Sequence, residues 1–378
     1  MNQIMLEKYT NYFRSNDWWL LTTMLVLVMF GLAAIYSVEL SQETAGFLNI
    51  KKQLIALVIG LGCYSFFAYY NYRLLQNYSV LLYVIGLLLL IGVLLFGSTI
   101  RGTTGWYNLG PFGFQPVEFM KLALAIALAT YCSQRARRLF GVREILETMA
   151  ITGVPVFFTL LQPDFGSAML LIGIWFVVVL FAGIQRKHFL FLTLCAILFG
   201  IFAWFFLLAD YQQARIATFF DPSLDPLGEG YNVTQAVIAV GAGGSYGSGL
   251  GFGSQSQLKF LPESQTDFIF AVIAEELGFV GVSIVFITFS LLFWRILTTA
   301  KRARDDFALY FVLAMGGSIF LQFVVNVGMN LGMLPVTGLG LPMVSYGGSS
   351  LILFLSMLGV IQSSVIRSKH LSQSSFCS

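Results

Sequence analysis

The sequence predicts an all-α membrane protein that crosses the bilayer about ten times, and two observations lead to that prediction. Charged residues make up only 10% of the 378-residue chain and hydrophobic residues 57%, whereas a soluble domain carries roughly 25% charged residues. Apolar runs long enough to cross a hydrocarbon core of about 30 Å also recur along the chain. The ten predicted spans are residues 18–37, 53–70, 79–97, 116–132, 148–162, 167–184, 189–209, 268–296, 307–330 and 349–366.

Basic residues are distributed unequally between the two sides that these spans define. Fifteen of the 21 Lys and Arg residues fall on the side that holds both termini, and positively charged loops mark the cytoplasmic side. Both termini are therefore predicted to be cytoplasmic, with a short tail at 367–378. The long loop at about 210–267, between the seventh and eighth spans, is then extracytoplasmic. Its segment 231–242 is predicted to be a short helix, either resting on the headgroups or covering a lipid-linked substrate.

Composition also excludes several classes of protein. A net charge of +3 without a basic stripe argues against nucleic-acid binding. Two histidines and four cysteines without ligand spacing predict neither a metal site nor disulfides. The chain is therefore predicted to form a single membrane domain over residues 1–378.

Glu118 and Lys121 open the fourth predicted span, directly after Pro116. Proline is tolerated in the first turn of a helix because its missing N–H would have no partner there. Residues three apart share a helix face, so the two side chains are predicted to pair. An ionisable residue at membrane depth costs about 2.5–3.5 kcal/mol and indicates a function by default. Either the pair only neutralises itself, or Glu118 orients Lys121 towards an anionic headgroup.

Two aspartates stand at the mouths of predicted helices. Asp164 precedes the sixth span and Asp267 the eighth, where the helix dipole stabilises a negative charge by about 0.3–1 kcal/mol. Each could cap its helix by accepting a hydrogen bond from a free N–H. Asp267 could instead remain ionised and accept a proton. Glu275 and Glu276 lie about 12–13 Å further along the helix axis, too far for the carboxylate pair of a glycoside hydrolase, which is about 5–9.5 Å apart.

Three cations, Arg101, Arg215 and Lys259, fall on the predicted outer face, which carries most of the acidic residues. A guanidinium fork suits phosphate oxygens, so these residues are candidate phosphate ligands, with ordinary solvated loop residues as the alternative. Trp106, in the turn-rich loop after Arg101, is either an interface anchor or part of the same site.

Two glycine-rich stretches interrupt the apolar pattern. Residues 241–253 lack the Lys-Ser/Thr ending of a P-loop and follow no strand, so we interpret them as a flexible hinge or a loop that accommodates lipid. Residues 334–350, which include Ser345, predict a broken, re-entrant segment. Non-helical backbone at membrane depth is tolerated only where it lines protein or a wet cavity, so a cavity is predicted to open outward.

These segments together resemble the SEDS family of bacterial shape, elongation, division and sporulation proteins. The similar motifs lie at residues 115–118, 162–166, 259–278 and 342–350, and the resemblance covers nearly the whole chain. Residues 255–263 and the brief tail favour the elongation branch, with the division and sporulation branches as close competitors. Val117 stands where the family usually has Ser, and Gly105 where an Arg commonly precedes the Trp. Because this Arg is missing, the resemblance gives less support to phosphate binding by the Arg101 loop in the way that is usual for the family.

The resemblance implies a peptidoglycan glycosyltransferase that polymerises lipid II, an undecaprenyl-pyrophosphate-linked disaccharide-peptide, into glycan strands at the outer face of the bacterial plasma membrane. It puts the family's catalytic aspartate at Asp267. The candidate substrate-binding residues are Glu118, Lys121, Arg101, Trp106, Arg215, Asp164, Lys259 and Ser345. A class B penicillin-binding protein, which is a transpeptidase, and the proteins of the elongation complex are the implied partners. No resident cofactor is predicted, and a Mg²⁺ or Mn²⁺ ion at the pyrophosphate is left open.

The residue chemistry and the family resemblance indicate the same mechanism. Asp267 takes a proton from the acceptor hydroxyl as that hydroxyl attacks the donor's anomeric carbon. The pyrophosphate leaves, and Arg101, Lys121 and Arg215 stabilise its growing charge. Two alternatives belong to other classes. A flippase for the lipid-linked precursor would need access from both leaflets, and a scaffold for a transpeptidase would not need an ionised carboxylate among cations.

Overall fold

Long apolar helices make up most of the computed structural model, which describes residues 16–41, 47–100, 102–110, 112–135, 140–206, 210–221, 224–225 and 228–374. The helices are α1 Trp18–Leu40, α2 Leu48–Tyr69, α3 Tyr72–Asn77, α4 Ser79–Phe96, α5 Pro116–Gln134, α6 Val142–Leu160, α7 Phe165–Phe181, α8 Arg186–Phe206, α9 Asp210–Phe220, α10 Glu229–Ala242, α11 Ser254–Gln257, α12 Ile269–Lys301, α13 Asp306–Asn330 and α14 Gly348–Ser374. The strands are β1 Ser98–Ile100, β2 Thr103–Leu109 and β3 Phe112–Phe114.

Eight helices of the described part are long and apolar enough to cross a membrane, which confirms the predicted class of helical membrane protein. They are α1, α2, α4, α5, α8, α12, α13 and residues 348–368 of α14. The other two predicted spans coincide with α6 and α7. The first of these carries three charges near its start, at Arg143, Glu144 and Glu147, and the second has only 17 residues, or about 26 Å.

Burial separates central helices from peripheral ones. The apolar stretches of α5 and α14 are 72% and 83% buried within the chain, whereas those of α2 and α4 are each 22% buried. Their hydropathy does not follow this order, because lipid tails are as apolar as a protein core. Glycines let α2 and α14 approach closely: a Cβ at Gly359 would lie 2.6 Å from the carbonyl oxygen of Tyr64.

The all-α prediction is wrong for residues 98–114, which form a small antiparallel sheet in the order β1-β2-β3. Trp106 pairs with Ser98, and Leu109 pairs with Phe112 across a tight turn. Gly110 in that turn has φ +72°, a left-handed conformation that favours glycine. Threonine and aromatic residues suit a half-buried strand, but the turn-forming residues between them favour the prediction of a loop. The sheet leads through β3 directly into α5.

Helix α12 is broken at Gly278, whose φ of 62° and ψ of −160° are not helical. The glycine-rich segment 241–253 supplies the hydrogen bonds that this break removes. The N–H groups of Ser248 and Gly249 donate to the carbonyls of Glu275 and Glu276 (3.0 and 2.9 Å), and the Phe279 N–H donates to Gly244 (2.9 Å). The segment is therefore paired backbone to backbone with α12, and its interpretation as a flexible hinge or a loop that accommodates lipid stays a prediction.

Ion pairs and amides gather several helix ends at one end of the bundle. Arg295 binds Asp17, Arg73 binds Asp305, and the Gln362 amide donates to Asn16. These contacts join the start of α1, the start of α3, the end of α12, the start of α13 and the end of α14. We call this the basic end. The sheet, the first turns of α5, α7 and α12, and the segment 331–347 lie at the opposite end, the site end.

Candidate functional site

Asp267 lies at the site end, two residues before the first residue of α12. The N-cap of this helix is Phe268, so Asp267 is not the capping residue that one interpretation proposed. Its side chain is half-buried, and its backbone carbonyl accepts hydrogen bonds from the side-chain amides of Asn326 (2.9 Å) and Asn330 (3.0 Å). The backbone that carries the carboxylate is therefore fixed by another helix.

Those amides belong to a row on α13 that we call the amide ladder, Gln322, Asn326 and Asn330. Spaced four residues apart, they share one helix face, and all three are buried. Gln322 donates to the carbonyl of Gly340 (2.8 Å) and Asn326 to that of Leu339 (2.7 Å). The ladder therefore satisfies carbonyls in non-helical backbone, where water is scarce. The predicted site residues do not include this row, although three amides at this spacing in an apolar helix are a usable signal.

Glu118 and Lys121 form the predicted ion pair, with the Lys121 Nζ 2.7 Å from a Glu118 carboxylate oxygen. Their side chains are only 8% and 1% exposed, so the pair lies in the core. The Lys121 ammonium also lies 3.4 Å from the Gln322 side-chain oxygen and over the Phe354 ring. The pair is thus connected to the amide ladder, and direct contact of either side chain with a substrate stays a prediction.

Ser345 joins the re-entrant segment to the backbone just before Asp267. Its hydroxyl donates to the Thr266 carbonyl (2.6 Å) and accepts from the Leu341 N–H (2.6 Å). Nearby, a Cβ at Gly338 would lie 3.9 Å from an Asp267 carboxylate oxygen. The loop around Gly338 therefore lies beside the carboxylate. Ser345 connects this loop, at Leu341, to the backbone of Thr266.

Asp164 is the N-cap of α7, as one interpretation proposed, and it accepts from the Ser167 N–H (3.0 Å). Its other oxygen accepts from the Gln115 amide (3.2 Å), which connects α7 to the start of α5. A Cβ at Gly166 would lie 2.4 Å from the carbonyl oxygen of Thr337. The first turn of α7 therefore touches the same loop that flanks Asp267.

The remaining candidates are less closely assembled. Trp106 is half-buried and packs on the sheet, since a Cβ at Gly113 would lie 3.2 Å from its ring. Lys259 is exposed, with a left-handed φ of 60°. Arg215 lies in α9, but its side chain is outside the described part, and Arg101 lies outside the described residues altogether.

Two other carboxylates at the site end accept hydrogen bonds that join neighbouring segments. Glu275 accepts from the N–H groups of Gln255 (2.7 Å) and Ser256 (3.1 Å), and Glu276 accepts from the Ser37 hydroxyl (2.5 Å). Within the described residues, no group of three His, Cys, Asp or Glu side chains could hold a metal ion.

Known proteins resemble this chain over nearly its whole length. Residues 17–370 match the family model described as cell cycle protein, FtsW/RodA/SpoVE. Stage V sporulation protein E of Bacillus subtilis is 36% identical over 92% of this chain and 96% of its own length. The peptidoglycan glycosyltransferase MrdB of Escherichia coli is 35% identical over 94% of this chain and 95% of its own length.

Solved structures share the fold as well. The rod shape determining protein RodA of Thermus thermophilus matches with a TM-score of 0.69 and 31% identity, over 93% of this chain and 97% of RodA. A chain from a peptidoglycan synthase complex that coordinates polymerization and crosslinking matches with a TM-score of 0.81 and 33% identity, over 93% of this chain and 98% of that one.

Proposed function

The chain belongs to the FtsW/RodA/SpoVE family, and we propose that it is a peptidoglycan glycosyltransferase that polymerises lipid II with Asp267 as its general base. The observation that carries this proposal is the half-buried Asp267, whose backbone is fixed by the amide ladder and by Ser345. A base must be held in register with the hydroxyl it deprotonates. Two elements, α13 and the segment that carries Ser345, hold the chain on either side of this carboxylate.

We infer that Asp267 accepts the proton of the acceptor sugar hydroxyl while the oxygen of that hydroxyl attacks the donor's anomeric carbon. The bond from that carbon to the pyrophosphate breaks, and undecaprenyl pyrophosphate leaves with the bonding electrons. One displacement inverts the anomeric centre. Arg101 and Arg215 would meet the growing negative charge. Lys121 is too deeply buried to contact the pyrophosphate directly. Its positive charge would stabilise the pyrophosphate at a distance, through protein interior of low dielectric constant. A Mg²⁺ or Mn²⁺ ion would bind through pyrophosphate oxygens.

We also propose ten spans in the plasma membrane, with both termini and the basic end in the cytoplasm. The grouping of Arg73, Arg295 and Arg367 at one end supports this orientation, because cationic loops are retained inside. Asp267 and the long loop would then face outward, where lipid II is consumed. All the candidate residues that the structure brings together lie at the site end, whereas a flippase would need polar groups reached from both sides.

For the physiological role we propose cell elongation, with a class B penicillin-binding protein and elongation-complex proteins as partners. The fold shared with RodA and with a chain of a synthase complex supports this role. The curated relatives include sporulation and division proteins as well, so a part in division or sporulation is the alternative. Depletion of the protein in its host distinguishes them: round cells indicate elongation, and filaments indicate division.

The direct test is a gel of the glycan products that purified protein makes from fluorescent lipid II, with and without its transpeptidase. Asp267→Asn keeps the shape of the side chain but removes the base, and we expect it to abolish the glycan products. Asp221→Asn changes an exposed carboxylate in the same long loop and should leave the glycan products unchanged. Polymer made by Asp267→Asn would reject the assigned base. No polymer from wild type, even with the transpeptidase and divalent cations, would favour transport.

A further inference from the structure

A cavity with several basic and hydroxyl side chains in its walls lies at the basic end, at the other end of α12 from Asp267. Its volume is about 340 Å³, within the roughly 300–1,000 Å³ typical of ligand pockets. Its walls come from the start of α3, the segment between α12 and α13, and the end of α14. The residues that define it are Tyr72, Arg73, Arg304, Ser364, Arg367 and Ser368. We call it the arginine cavity, and the proposed polymerase reaction uses none of these residues.

Positive charge in the arginine cavity is only partly neutralised. Asp305 at its edge is already bound by Arg73 at 3.3 Å and by the Tyr72 hydroxyl. Burial, helped by Asp305, raises the pKa of Tyr72 to about 12, so this phenol stays neutral and adds no negative charge. Arg304 and Arg367 therefore contribute positive charge that Asp305 does not balance.

Arg367 provides the most specific observation. Its Nη2 donates to the Tyr69 carbonyl (3.3 Å), but its Nε is buried and has no hydrogen-bond partner among the described residues. A buried guanidinium N–H without an acceptor is unfavourable, because water no longer satisfies it. Arginine presents its donors in a planar fork that matches carboxylate or phosphate oxygens. An anion in the cavity would supply the missing acceptor.

The position of the cavity indicates where that anion comes from. The apolar run of α14 ends at Ile366 and is followed by Arg367, Ser368 and Lys369, so Arg367 and the cavity lie where this helix leaves the hydrocarbon. Tyr69 and Tyr70, at the end of α2, are 54% and 49% exposed, and exposed tyrosines mark the headgroup level of a membrane. Basic pockets between helices at this level suit anionic lipid headgroups.

We propose that the arginine cavity is a binding site for a phosphate group, carried by an anionic phospholipid of the leaflet at the basic end. Arg304 and Arg367 bind the phosphate oxygens, and the hydroxyls of Ser364 and Ser368 lie in the same wall. Free phosphate offers the same oxygens without the acyl chains, so the test must separate the two sources. The site is independent of the proposed polymerase chemistry at Asp267.

The experiment titrates the full-length protein, stripped of lipid in a neutral detergent, with dioctanoyl phosphatidylglycerol, dioctanoyl phosphatidylcholine or inorganic phosphate, and follows binding by native mass spectrometry. We expect saturable binding of phosphatidylglycerol and at least about tenfold weaker binding to Arg304→Gln and Arg367→Gln, since each loses a charge-assisted hydrogen bond. Arg302→Gln is the matched control, because Arg302 is exposed two residues away and does not line the cavity.

Each outcome is decisive. Inorganic phosphate that competes with the lipid on wild type would identify free phosphate as a ligand of the same site, whereas no competition leaves the lipid as its source. Equal losses in Arg302→Gln and Arg304→Gln would overturn the proposal and indicate general surface charge. Undiminished binding in both cavity variants would overturn it too. Because Arg304 is exposed, its substitution tests the site even if Arg367→Gln fails to fold.

Discussion

Two ion pairs, one taken from each end of the bundle, differ in what surrounds them. At the site end, Glu118 and Lys121 are almost completely buried, and Lys121 also contacts Gln322 of the amide ladder. At the basic end, Arg73 is 58% exposed and binds Asp305 in reach of solvent. A buried pair cannot lose one partner without leaving a desolvated charge, whereas an exposed pair is screened by water and salt. The first therefore belongs to the architecture of the site, and the second can be exchanged at little cost.

The largest expected effect on stability comes from breaking the buried pair. Glu118→Leu leaves the Lys121 ammonium buried without its carboxylate, and we expect a loss of about 3–5 kcal/mol in the free energy of unfolding. The double variant Glu118→Leu with Lys121→Met should recover most of this loss, because no charge remains. Thermal or denaturant unfolding in detergent measures both. A single variant as stable as wild type would show that the pair is hydrated.

The amide ladder comes next. Asn326→Leu removes the donor to both Asp267 and Leu339. The Asp267 carbonyl then keeps only Asn330 and the buried Leu339 carbonyl loses its side-chain donor, which should cost about 1–3 kcal/mol. We also expect glycan polymerisation to fall by more than tenfold while lipid II binding changes little, since the base is displaced rather than removed. Lipid II binding and single-turnover polymerisation, measured separately, check this split.

The control for this prediction is Ser356→Ala. Ser356 is a buried polar residue of α14 whose hydroxyl bonds only within its own helix, to the Ile352 carbonyl (2.7 Å), in the contacts that the structure describes. Its replacement should leave polymerisation unchanged. Equal losses in the two variants would mean that the ladder has a general structural role and does not position Asp267.

Ser345→Ala tests the second support of the Asp267 backbone and should have a smaller effect. The hydroxyl bridges Thr266 and Leu341, and losing it should cost about 1 kcal/mol and reduce the rate of polymerisation severalfold. Ser345→Thr retains a hydroxyl and should restore part of the rate. If Ser345 bound substrate directly, Ser345→Ala would instead weaken lipid II binding.

The smallest effect is expected at the exposed pair. Arg73→Gln should change the free energy of unfolding by about 0–1 kcal/mol, and the difference should disappear near 1 M salt, where the Debye length falls to about 3 Å. Unfolding measured at low and high salt checks this. A loss at Arg73 as large as that at Glu118 would remove the contrast between the two pairs.

Some features were predictable because they depend on residues close together in the chain. The spans follow from runs of apolar residues whose length the bilayer dictates. The Glu118–Lys121 pair follows from a spacing of three on a helix, and the helical segment 231–242 follows from its local pattern and falls within α10. The position of Asp267 before a helix was also visible, since the apolar run of α12 begins directly after it.

Tertiary structure alone decided what surrounds those elements. Asn326 and Asn330 reach the carbonyl of a residue 59 and 63 positions earlier in the chain, and the glycines at 241–253 match a break in α12 that sequence does not mark. Both cases have one physical cause. Backbone groups without water must find partners wherever the fold brings them. The sequence by itself determined which segments are apolar and long enough to cross a membrane and which charges they carry; only packing decided which distant amides and glycines complete the backbone around Asp267.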